Sequence, residues 1–168
     1  MIKKLLLAFA FILPLCASAQ TFKMGLVNVD GVMQAMPEFS EAQAKLADTS
    51  KKYEAEFQKL QDEMKRLYDE FQKMDENELP AIRERKTREL ADYDQKLQTF
   101  QQTAMQDLQR MQTELMGPIT AKISQAVESV GKENGYSLVQ VMEPQLTLYH
   151  AAPVDDITPL VKAKLGIK

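Results

Sequence analysis

From Tyr53 onward, apolar side chains recur at Tyr53, Phe57, Leu60, Met64, Leu67, Phe71 and Met74, in alternating steps of four and three. This spacing is the seam of a coiled coil, a single apolar stripe held against a partner helix. The stripe stops at Asp75-Glu76-Asn77-Glu78-Leu79-Pro80 and resumes at Leu90, Tyr93, Leu97 and Phe100. So short a break turns the chain back on itself, so the pattern predicts an antiparallel helical hairpin. Roughly 35 residues at 1.5 Å each make its first helix about 50 Å long. A hairpin of that length projects as an arm, which favours a protein that holds something over one that transforms it.

The flanks read as a small body. Lys23 to Asp30 has the character of a strand with Val27 and Val29 facing inward, and Asp30 is placed to cap a short helical turn through Met36. Pro37 suits a first helical position, and Ser40-Glu41-Ala42-Gln43 has capping-box spacing, so either starts the first long helix, which runs to about Met74. The return helix is expected from about Ala81 to Met116, with Lys86 and Arg88-Glu89 falling where apolar residues are due. Gly117-Pro118 should then kink or interrupt it, because proline lacks an amide and crowds the preceding turn. Ile119, Ile123, Val127 and Val130 carry an apolar face on to the Asn134-Gly135 stop.

Tyr136 to Met142 and Gln145 to His150 read as two strands of a hairpin, with Pro144 at the turn. Thr158-Pro159 should cap a short last helix carrying Leu160, Val161 and Leu165, with Asp155-Asp156 serving as caps beside it. The fold class expected is α+β, mainly α: a helical arm over 37–116 projecting from a body built from 20–36 and 117–168, all one unit. A sheet of two or three short strands is marginal alone, so oligomerisation is expected.

Residues 1–19 read as a cleaved export signal. Lys3-Lys4 precede the apolar Leu5 to Leu15, and Ala17-Ser18-Ala19 supplies the small residues of a cleavage site before Gln20. Leu15 disfavours a lipidated Cys16, since a small residue is wanted there. Cys16 is the only cysteine and leaves with the signal, which excludes disulfides and thiolate chemistry from the mature chain. No later stretch approaches the ~20 apolar residues of a membrane span, so the mature chain is expected to be soluble. The 21 basic residues, less Lys3 and Lys4, stand against 24 acidic ones, a net charge of −5. Nucleic acid is therefore disfavoured as a partner.

Nothing in the sequence looks catalytic. His150 is the only histidine, the six glycines form no phosphate-binding pattern, and no Ser or Thr has a partnered base. Acidic pairs such as Asp62-Glu63 and Asp69-Glu70 are followed by basic residues at helical distance and read as a solvated face. No metal, no cofactor and no enzymatic activity are expected. Phe57, Met64, Leu67, Phe71, Leu97, Phe100 and Met105 read as seam residues. Tyr68, Tyr93, Met111 and Met116 lie beside the seam, and flexible thioethers suit surfaces that accept varied partners. The candidates for weak, unselective grip are thus Phe57, Met64, Tyr68, Phe71, Tyr93, Phe100, Met111 and Met116.

Three stretches, MGLVNVDGVMQAMPEFSEAQAKL, ITAKISQAVESVGKENGYSLVQV and LYHAAPVDDITPLVKAKL, taken in this order around a charged helical hairpin, resemble the Skp/OmpH family of periplasmic chaperones. The similarity covers essentially the whole mature chain. It implies a homotrimer, with short strands assembling a central body and three arms around a cavity. It also implies an ATP-independent holdase that keeps unfolded outer-membrane β-barrel proteins from aggregating. On this resemblance Val27, Val29, Leu138, Val139, Val141 and Leu148 match strands of the trimer body, so they are the oligomerisation candidates. Well-known members are strongly basic and some contact lipopolysaccharide or anionic lipid, whereas this chain is acidic. Its one dense basic run, Arg83-Glu84-Arg85-Lys86-Thr87-Arg88, lies near the arm tip, where only a weak membrane-surface contact is expected. The alternative is a coiled-coil spacer or adaptor of the cell envelope that binds one folded partner.

Overall fold

A computed structural model describes residues 22–75, 78–143 and 147–167. Strand β1 (Met24–Val27) leads into a short helix α1 (Val29–Gln34) and then the long helix α2 (Pro37–Gln72). Helix α3 (Pro80–Glu133) returns to the body and is followed by β2 (Leu138–Val141), β3 (Val154–Asp156) and α4 (Thr158–Lys164). The signal segment, Glu76-Asn77 of the tip and Pro144 to Leu146 lie outside the described residues.

The expected arm is present. Pro37 occupies the start of α2 and Pro80 the start of α3, where a missing amide costs no helical bond. At 1.5 Å per residue the 36 residues of α2 extend about 54 Å. Its seam is the anticipated one: Leu60 and Leu67 are buried, and Phe57, Met64 and Phe71 are half-buried against α3.

Helix α3 differs from expectation, since Gly117-Pro118 does not interrupt its 54 residues. Pro118 and Glu114, the residue whose carbonyl loses its donor, are both exposed, so water can take that bond. Ile119, Ile123, Ala126 and Val130 meanwhile hold the next turns against the body. The helix ends as expected at Asn134-Gly135, with Gly135 in the left-handed region (φ 69°).

The body overturns the expected hairpin. All three strands are parallel in the order β2-β1-β3, with Met24 opposite both Leu138 and Val154. Chain neighbours β2 and β3 thus flank β1 and never pair. Of the second expected strand, the described residues Thr147 to His150 have no strand conformation, and Leu148 is 89% exposed. β1 explains why. Leu26 and Val27 project to opposite faces and both are buried, as suits the central strand of a parallel sheet, and β2 and β3 pair along its two edges. A Cβ on Gly25 would lie 3.2 Å from Ile157, so the glycine lets Ile157 pack flat on the strand. Lys23 and Tyr136 then fix β3: the Tyr136 hydroxyl donates to Asp155 at 2.9 Å, and the Lys23 ammonium sits 3.5 Å from Asp155 and 4.1 Å from the Tyr136 ring centroid.

Two local expectations also change. Val29 begins α1 and is not a strand residue, because Asn28, not Asp30, is the cap: its Oδ1 accepts from the Gly31 amide at 2.7 Å. Thr158 does not cap its own helix. Its hydroxyl accepts from the Asn28 amide at 2.9 Å, tying α4 to α1, while Asp156 takes the capping role by accepting from the Thr158 amide. The core joins Val27, Val32, Met36, Ile123, Ile157 and Val161 between the sheet and the four helices.

Candidate functional site: the arm and the exposed edge of the body

Among the described residues no group of three or more His, Cys, Asp and Glu side chains lies where it could hold a metal ion, and no helix is long and apolar enough to cross a membrane. The surfaces that remain are the arm and the β2 edge.

Midway along the arm Phe100 stands between two aromatic rings of α2. It is edge-on to Tyr53 at 5.9 Å and stacked on Phe57 at 6.4 Å. The Tyr53 hydroxyl donates to Asp107 across the seam at 2.9 Å, and this bond to a carboxylate holds the phenol above its usual range. Phe57 and Phe100 therefore spend their faces on each other. Nearer the tip, Lys86 replaces the apolar residue due there. Its stem lies along the seam while its ammonium meets Glu89 at 3.0 Å and Glu70 of α2 at 3.4 Å. Those bonds, Glu89 first, hold the ammonium above the usual lysine range.

Arg83 closes the tip by donating to the Asp75 carbonyl at 3.1 Å, and its guanidinium lies 5.9 Å from the centroid of the Phe71 ring. Arg88 pairs with Glu84. Two of the four basic residues of the run, Lys86 and Arg88, are thus paired with carboxylates within the arm.

The expected gripping residues fall into two groups. Phe57, Met64, Phe71, Tyr93, Phe100, Met111 and Met116 are only half-exposed, and Met116 packs on the body core. Tyr68 is 50% exposed and borders a groove of about 340 Å³ with Gln61, Met64, Lys65 and Leu97. Met105, read from the sequence as a seam residue, is instead 64% exposed, and its neighbour Ala104 occupies the seam. The sequence signal for this was faint: Ala104 lies seven residues after Leu97 and seven before Met111, but an alanine is easily passed over as a knob. Met105 borders a second groove, of about 640 Å³, between α2 and α3.

On the body, Leu138 and Val141 of edge strand β2 are 47% and 43% exposed. Beside them a cleft of about 270 Å³ opens between the sheet and α3, lined by Val27, Val29, Ile123, Val127, Val139 and Val141. Of the expected oligomerisation residues, Val27 is buried in the core, Val29 and Val139 are half-buried at this cleft, and Leu148 lies apart in the connection to β3.

A search among curated proteins finds no match. The profile of the family described as Outer membrane protein (OmpH-like) matches residues 23–165, taking in every strand and helix from β1 to α4. The chain belongs to the OmpH-like family.

Proposed function

We propose that this protein is a periplasmic holdase that binds unfolded outer-membrane β-barrel proteins without ATP and keeps them from aggregating. The observation that carries this reading is the extent of the family match, which spans body and arm together and not one motif. The shape agrees with it. The arm leaves a body too small to stand as an ample core, and the apolar groups it exposes are scattered along it and do not gather into one pocket. Such contacts hold a client weakly and many at a time, which suffices when they act in a small shared volume.

The assembly proposed is a homotrimer. An exposed, apolar edge strand is a template for pairing unless it is covered, and β2 with its adjoining cleft offers that surface. Leu138, Val139, Val141 and Val29 are the residues assigned to it, and Leu148 is a peripheral candidate. At the arm tips a weak contact with an anionic membrane surface is a lesser proposal, limited by the internal pairing of Lys86 and Arg88.

Light scattering on the mature protein, alone and mixed with a urea-unfolded barrel protein on dilution, tests the reading. A trimer that takes the client into a discrete soluble complex is the expected result. A stable oligomer that leaves the client to aggregate overturns it and favours a spacer or adaptor for a folded partner.

A further inference from the structure

The two grooves of the arm differ in chemistry. The one around Tyr68 includes Lys65 and sits in the charged outer half. The one around Met105 is formed by Leu46, Ala47 and Ser50 of α2 with Met105, Leu108, Gln109 and Gln112 of α3, none of them ionisable. On this arm that is unusual, because 15 of the 36 residues of α2 are charged. It continues a local bias: from Gln95 to Gln112 helix α3 carries seven glutamines, at 95, 98, 101, 102, 106, 109 and 112. Of the three charged side chains between Leu97 and Met116, Asp107 already accepts from Tyr53 and Arg110.

Such a surface has a definite complement. Each glutamine amide offers a donor and an acceptor together, the pair an unpaired peptide group needs. Met105 and Leu108 offer flexible apolar contact between those amides. A charged segment would lose hydration here without gaining an ionic partner. An uncharged extended segment loses little, and membrane β-strands supply such stretches, with an apolar side chain at every second residue.

Resting on the holdase reading above, we propose that the Met105 groove is the preferred seat among the arm's many weak client contacts, and that it takes extended, uncharged segments of an unfolded β-barrel. The charged outer half then encloses the client more than it grips it.

Site-directed crosslinking tests this. In protein freed of Cys16, a photoreactive benzophenone is placed through cysteine at Met105→Cys, Tyr68→Cys or, on the charged face, Lys59→Cys. All three sites are largely exposed in the folded arm, so each variant keeps the seam, and far-ultraviolet circular dichroism checks this. With a urea-unfolded barrel protein diluted in, client crosslinking from 105 should exceed that from 59 and 68 by about fivefold, the occupancy that one partly buried side chain adds. Equal yields from the three sites overturn the inference. So does a product joining two copies of this chain from position 105, which means the groove seats another arm. Unlabelled protein is assayed in parallel for suppression of client aggregation. If it fails there, the holdase reading falls; if it succeeds while the yields are equal, the groove assignment alone falls.

Discussion

Body and arm are built on opposite principles. In the body, contacts come from residues far apart in sequence: Val27 and Val32 meet Ile123 and Ile157, which lie beyond the whole arm. In the arm each turn of α2 meets one turn of α3, and no turn depends on distant ones. A core of the first kind fails as a unit, whereas a seam of the second kind opens locally. The proposed holding of client chain at many points suits the second, because the arm can yield in one place without losing its attachment.

The largest effect expected follows from this contrast. Ile157 is fully buried over Gly25 between β1 and α4, so Ile157→Ala should cost about 4 kcal/mol. Since the body joins both arm roots, thermal unfolding by circular dichroism should drop as one transition. Leu67→Ala removes a buried seam residue and should cost about 3 kcal/mol, but hydrogen exchange should report it mainly in the outer half of the arm. If Leu67→Ala loosened β1 amides as much as Ile157→Ala does, the division between unit and seam would be wrong. Gly25→Ala should cost about 2 kcal/mol by pushing on Ile157, and it should act on the body alone.

The same contrast decides what was legible before the structure. Periodicity is a local signal, so the α2 seam, the tip at Pro80, the Asn134-Gly135 stop and the mainly helical class could be read directly from residue spacing. Sheet order is not local. Thr147 to His150 has strand-like composition and yet Leu148 to His150 are exposed, while Val154-Asp155-Asp156 has poor strand propensity and pairs with β1. What selects the latter is the set of bonds around it: Tyr136 and Lys23 on Asp155, and the Ile157 amide donating to the Leu26 carbonyl at 2.8 Å. Composition shows none of these.

On the arm one residue lies on the other side from its periodic expectation. Hydrophobicity favours Met105 over its neighbour as the seam residue, yet Ala104 is the one that fits between the helices. The uncharged glutamine segment was visible in the sequence but carried no periodic signal of its own. Only the position of Met105 on the outer surface gives it meaning.

A smaller effect sharpens the view of the arm. Lys86 fills a seam position with its stem and satisfies two carboxylates with its ammonium. Lys86→Leu supplies apolar contact but leaves Glu70 and Glu89 without that partner. Both are solvated, so the outer arm should be slightly more protected from hydrogen exchange, with the body unchanged. Lower protection would mean that the ionic bridge, and not the stem, holds the two helices at that level.

The smallest effect concerns the joint between the two regions. Lys122 of α3 donates to Glu38 in the first turn of α2 at 2.7 Å, beside Pro118, and this bond holds the Glu38 carboxyl below its usual range. A carboxylate with a depressed folded value contributes stability above its unfolded value and loses it as pH falls through the folded one. Both groups are exposed, so the contribution is slight. The melting temperatures of the native protein and of Glu38→Gln should therefore differ a little at about pH 7 and converge by about pH 3. A difference that persists in acid would show that the glutamate acts by packing and not by charge. The arm root would then be held by the apolar neighbours Ala42 and Ile119, and the arm would be continuous with the body instead of tethered to it.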